Sequence, residues 1–234
     1  DARKLLNVLE LVVSQLGEGD AITNERVAQI VQQNPAMYDK SGEMHYDIIS
    51  AFIKSIRGSD PQAAVYYLAR MVEGGEDPKF IARRMLILAS EDIGMANANA
   101  LLMADATFRA VENIGWPESR IILSQCAVYL ATSPKSNSAY LAIDAAIAEV
   151  RNSGDLSIPM QIRNAPTKLM KELGYGDDYQ YSHNFPGNFA YQEFLPKELT
   201  NTMFYTPANN VREEQIKEWL HVRWGEKYRY GKEE

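Results

Sequence analysis

Apolar positions recur along most of the chain at helical spacing. Leu5, Leu9, Val12 and Leu16, backed by Leu6 and Val13, form one stripe over "DARKLLNVLELVVSQLG". The only residue available to cap this helix is Asp1 itself, as expected of a helix that continues an upstream element. Thr23 is placed to cap a short helix at about 24–33, with Ile22 positioned to staple onto Val27. "NPAMYDKSGEMH" is polar, holds Pro and Gly, and reads as a linker. The stripe returns at Ile49, Phe52, Ile53 and Ile56 and closes at Gly58. Asp60-Pro61 and Asp77-Pro78 each set a capping acid before a proline at the first helical position, so helices are expected at about 61–73 and 78–92. Further helical patterns cover about 98–114, 117–132 and 137–151, separated by "GWP" and "SPKSN". Connections this short force neighbouring helices to run nearly antiparallel. Two Asp-Pro entries are too few for a repeat array.

Near residue 152 the pattern changes. "NSGDLSIPMQIRNAP" is loop-like, and "TKLMKELG" adds a short helix stopped by Gly174. Residues 175–208 are rich in aromatics, Pro and Asn, with little periodicity; such a segment is either functional or draped over a core. A last amphipathic helix, about 210–223, carries Val211, Ile216, Trp219 and Leu220. With no strand pattern found, the expected fold class is all-α.

Composition narrows the function only modestly. Hydrophobic residues at 46% and charged residues at 24% suit an ordinary globular chain. No apolar run is long enough to span a membrane. The single cysteine, Cys126, allows no internal disulfide and suits a reducing cytoplasm; its apolar helical setting reads as core. A net charge of −7 argues against a wholly basic nucleic-acid binder but leaves room for a local basic patch.

Catalytic constellations are mostly missing. His45, His183 and His221 are scattered, no metal-ligand spacing occurs, and no nucleophile elbow is present. "GEKYRYGKE" imitates a phosphate loop but has the wrong glycine spacing and Glu233 where Ser or Thr would meet magnesium. His183, among aromatics and proline, reads as a loop-fixing hydrogen bonder.

Long stretches do match a known family. "HYDIISAFIKSIRGSDPQAAVYYLARMVEGGEDPKFIARRMLILASEDIG", "SPKSNSAY" and "RNAPTKLMKELGYG" resemble the C-terminal half of the replication-associated recombination protein A family of AAA+ ATPases, counterparts of the Werner-helicase-interacting ATPase. The resemblance implies the end of an ATPase lid at 1–36, a linker at 37–44, a helical oligomerisation domain of the clamp-loader collar type at 45–157, and a C-terminal extension at 158–234. It implies a cytoplasmic, nucleoid-associated tetramer that acts with ATP and magnesium on DNA and replication proteins at stalled forks. By the same match Arg3 is the sensor arginine of the lid, which would reach a bound nucleotide's γ-phosphate. The phosphate loop, magnesium carboxylate and arginine finger would lie upstream of these residues. No cofactor or metal is expected for the chain itself.

The residues offer three further expectations. Glu91 and Asp92 fall in the last turn of a helix, where acids oppose the macrodipole, so a basic partner is expected from elsewhere, with Arg163 and Lys168 as candidates. In "HVRWGEKYRYGK", Arg223, Lys227, Arg229 and Lys232 alternate with Trp224, Tyr228 and Tyr230, a net charge of +3 that suits phosphates while the rings suit bases. The competing reading is a docked or solvated tail. Arg163, Lys168 and Lys171 form a second basic strip. The aromatics Tyr175, Tyr179, Tyr181, Phe185, Phe189 and Tyr191 serve either to clamp a core or to bind a partner, the latter in a monomeric adaptor.

Overall fold

A computed structural model describes residues 2–17, 20–33 and 43–230, with the side chains of residues 2–5, 7, 8, 11, 31–33, 43 and 44 also outside the description. Among the described residues every regular element is helical. The chain divides into two compact units, one of residues 1–93 and 97–135, the other of 94–96 and 136–234.

In the first unit, α1 (Ala2–Gln15) packs on α2 (Asn24–Gln33), burying Val12 and Ile30. The Arg26 amide donates to Thr23 Oγ1 at 3.3 Å, the expected cap. Ile22 is exposed, however, and Leu6, Leu9 and Val13 keep about half their surface or more. A bundle follows, built from α3 (Glu43–Arg57), α4 (Pro61–Glu73), α5 (Pro78–Leu88), α6 (Asn99–Ile114) and α7 (Ser119–Thr132). Both Asp-Pro devices work as expected. Asp60 accepts the Gln62 and Ala63 amides at 3.0 Å, and Asp77 accepts the Lys79 amide at 3.0 Å. Phe52, Ile56, Met71, Ile81, Met85, Leu88, Leu123 and Leu130 are fully buried at the centre. Cys126 lies among them.

The α5 pattern was expected to reach residue 92 as one helix. Instead α5 stops at Leu88, and Ala89–Ile93 winds as a π turn before a 3-10 turn at Gly94–Ala96. Gly94 permits this ending. Its φ is +45°, and a Cβ there would lie 3.1 Å from the Ser136 carbonyl oxygen.

The second unit holds α8 (Ser138–Ser153), the short α9 (Lys168–Glu172) capped by Thr167, and α10 (Val211–Tyr228). Sequence pattern placed α8 with the preceding bundle; by packing it groups with the C-terminal residues. α10 also runs past its expected end near 223. Gly225 does not stop it, because Trp224, Lys227 and Tyr228 find a packed bed beneath them. The helix starts with a reciprocal cap: Asn210 Oδ1 accepts the Glu213 amide at 3.0 Å while its amide nitrogen donates to Glu213 Oε2 at 2.6 Å.

Candidate nucleic-acid interface

The alternation of cations and rings at the chain's end was the strongest sequence signal for nucleic acid, and α10 shows how those groups are used. Trp224 is enclosed by Phe189, Tyr191 and Tyr228, with ring centroids 5.1, 5.5 and 5.8 Å away, and by Phe194 at 6.2 Å. Lys227 turns inward. Its side chain is 3% exposed, and Nζ lies 2.6 Å from Glu193 Oε1 and 4.7 Å from the Tyr228 ring centre. Burial works to lower the Lys227 pKa, and the Glu193 carboxylate outweighs it, holding the ammonium above its ordinary value. Burial likewise works to raise the Glu193 pKa, and Lys227 with two backbone amides holds it low. Lys227 is thus buried in an ion pair, which takes it away from the expected DNA contacts, and Trp224 is half-buried in a cluster of rings.

The neighbouring groups are engaged in the same way. Tyr228 meets Tyr230, whose hydroxyl donates to the Tyr205 carbonyl at 3.2 Å. Arg223 lies 3.7 Å above the Trp219 ring centre and donates to the Trp219 carbonyl. Arg229 takes a left-handed conformation that ends the helix and remains exposed. Lys232 lies outside the described residues, as does the Arg3 side chain. Of this tail, Arg223 and Arg229 are the cations whose charge reaches solvent among the described residues.

The second strip is more open. Lys168 and Lys171 are exposed on α9, Lys168 loosely paired with Glu172 at 3.7 Å. Arg163 is fixed by its own loop: Nε donates to the Ile158 carbonyl at 2.7 Å and Nη1 to the Tyr175 hydroxyl at 3.3 Å.

Glu91 and Asp92 do find a basic partner. It is Arg57, at the end of α3, rather than Arg163 or Lys168. Arg57 Nε lies 2.6 Å from Asp92 Oδ1 and Nη2 lies 3.2 Å from Glu91 Oε1, so one guanidinium serves both acids. The hydrogen bond that Arg57 donates to Asp92 raises the Arg57 pKa further. Lys135 closes the same corner, donating to the Leu130, Ala131 and Ser133 carbonyls at the end of α7 and to Ser59 Oγ. Burial lowers its pKa, and the nearby Asp92 charge works against that.

Sequence reasoning missed the buried carboxylate of Glu213. It accepts from the Ser138 and Tyr205 hydroxyls, the Ala208 amide and Asn210. Burial favours its neutral form, but these donors, with Ser136, hold the pKa below its ordinary value. The Tyr205 phenol, buried beside that charge, is pushed up to about 12. The pattern Asn-x-x-Glu ahead of an apolar run was the available signal. His183 Nδ1 is 3.3 Å from Asn188 Oδ1, the loop-fixing role expected of it.

The described residues hold no group of His, Cys, Asp and Glu able to hold a metal ion, and no helix of theirs is long and apolar enough to cross a membrane.

Comparison with known proteins decides the family. The model for the C-terminal region of the MgsA AAA+ ATPases matches residues 58–224, and that for an AAA C-terminal domain matches 1–57. The chain belongs to the MgsA AAA+ ATPase family. It is 48% identical over 228 residues to an uncharacterised protein of Thermotoga maritima, covering 97% of this chain and 37% of that one. Replication-associated recombination protein A of Escherichia coli K12 is 41% identical over 225 residues, 94% of this chain and 50% of the relative. The ATPase WRNIP1 of Dictyostelium discoideum is 38% identical over 229 residues, 88% of this chain and 26% of its own. The chain spans at most about half the length of these relatives. Membership and an all-α fold among the described residues are thus established, and the chain corresponds to the C-terminal region of that family.

Proposed function

We propose that this region joins subunits of a AAA+ ATPase that maintains replicating DNA, and that it contributes assembly rather than ATP hydrolysis. Relatives named for replication-associated recombination support the setting at replicating DNA; a place at the nucleoid in the cytoplasm, and ATP and magnesium held by residues outside this region, belong to the same proposal. The motor motifs do not occur in these residues.

One observation carries the assembly reading. α8 buries only Ser138, although it is largely apolar. Tyr140, Ile143, Ile147 and Val150 fall on one stripe with alternating spacings of three and four, the pattern of a seam between two helices. They are 44%, 55%, 40% and 62% exposed. Covering each would recover on the order of 1 kcal/mol, a substantial drive to self-association. A second copy presents the same stripe, so the contact can close on a two-fold axis; a tetramer would join two such pairs through a second contact.

Light scattering of the purified chain tests this. A multimeric mass that falls toward the monomer in Ile143→Asp/Ile147→Asp supports assembly. A wild-type chain that stays monomeric at every concentration supports the adaptor reading instead.

A further inference from the structure

Two loops of the C-terminal unit are closed onto each other by a single backbone bond, the Gly176 amide donating to the Met160 carbonyl at 3.0 Å. Gly176 sits at φ +81°, and a Cβ there would lie 3.3 Å from the Arg163 carbonyl oxygen, so the closure depends on glycine. The loops line, with Phe194, an open cavity of about 470 Å³, a volume suited to a small organic group. Its working groups are Arg163, Asn164, Gln161 and the rings of Tyr175, Tyr179 and Phe194, and none of the residues lining it is acidic.

Each group is set for a flat polar ligand. Tyr179 and Phe194 keep 46% and 42% of their surface exposed. The Arg163 guanidinium is held 5.1 Å from the Tyr175 ring centre by its bonds to Ile158 and Tyr175, and among the described residues nothing accepts from its Nη2. Gln161 is anchored through its nitrogen, which donates to the Glu193 carbonyl at 3.0 Å, leaving its oxygen free to accept. A second cavity of about 380 Å³ shares Gln161 and Arg163 with the first and continues to Lys197 and Thr200. Its acid Glu193 is already neutralised by Lys227, and Glu198 remains.

We propose that the first cavity takes one unpaired base of single-stranded nucleic acid. The base stacks on Tyr179 or Phe194, the side-chain amides meet its edge, and Arg163 Nη2 donates to the base or its phosphate as the strand runs on toward Lys197. Rings that accept any base face, beside a fixed guanidinium and amides bearing both donors and acceptors, are the means by which proteins hold unpaired bases. An apolar peptide anchor would leave those amides unpaired, at a cost in affinity. The site uses none of the α8 residues and goes beyond the assembly reading.

Fluorescence anisotropy of the whole chain tests it, with labelled oligo(dT) of about 20 nucleotides, a base-free abasic strand of equal length, and a proline- and phenylalanine-rich peptide. Base-bearing strand should bind several-fold tighter than abasic strand. Tyr179→Ala should weaken it about tenfold, and Tyr179→Phe, which keeps the stacking face, should restore binding to within about twofold. Tyr179 is half exposed, so its removal leaves the fold intact, as a melting curve will verify. Equal binding of both strands, binding indifferent to Tyr179→Ala, no binding of either strand, or capture of the peptide in their place overturns the proposal. Light scattering on the same samples separates the two readings: a monomer that still prefers bases ends the assembly reading and leaves this one standing.

Discussion

Glu213 shows what one residue can settle. It is fully buried, yet four groups donate to its carboxylate, so the charge is stable where an unpaired one would not be. Glu213→Ala strands those donors and should cost about 2–4 kcal/mol in urea unfolding; Glu213→Gln, which keeps the shape, should cost less. The pH dependence follows from the direction of its shift. A carboxyl held below the ordinary 4.5 contributes its full stability above that value and loses it as pH falls through the lower folded-state value. An acid titration of wild type should therefore fall more steeply than that of Glu213→Gln. Cys126 makes a second residue-scale prediction. Buried at the bundle centre, its thiol is pushed up to about 11, so a thiol reagent at neutral pH should label it only as fast as the protein unfolds. The burial of Cys126 was legible in its apolar flanks. That of Glu213 was legible only as a cap, because its donor Ser138 lies 75 residues away along the chain.

At the scale of elements, local chemistry reads well and endings read poorly. Thr23, Asp60, Asp77, Thr167 and Asn210 all cap the helices they precede, since a cap needs only its next two or three residues. Asp60→Ala should cost about 1 kcal/mol in thermal unfolding, and Asp77→Ala the same. α5 and α10 ended where periodicity alone did not indicate. A π turn replaces the last turn of α5, bringing Glu91 and Asp92 within reach of Arg57. α10 continues through Gly225 because Trp224 and Lys227 are gripped from the irregular segment. Lys227→Met retains the aliphatic body but removes the ion pair; it should lower stability by about 1–2 kcal/mol in thermal unfolding.

For the whole molecule, the useful contrast lies between exposed and buried apolar surface. Substitutions on the α8 stripe should alter stability of the isolated subunit by no more than about 0.5 kcal/mol while changing mass in solution, a combination that a core residue cannot produce. Arg57→Ala should do the reverse, leaving mass unchanged and lowering the melting temperature, since Asp92 is then buried without its partner. Helix positions, most caps and the family were determined by the sequence alone, because periodicity, capping and long family-like stretches are properties of neighbouring residues. Tertiary structure alone decided which charges pair, which rings are enclosed and which apolar faces stay bare. Arg57 and Asp92, or Lys227 and Glu193, are distant along the chain, and burial is a property of the packed molecule that no local pattern contains.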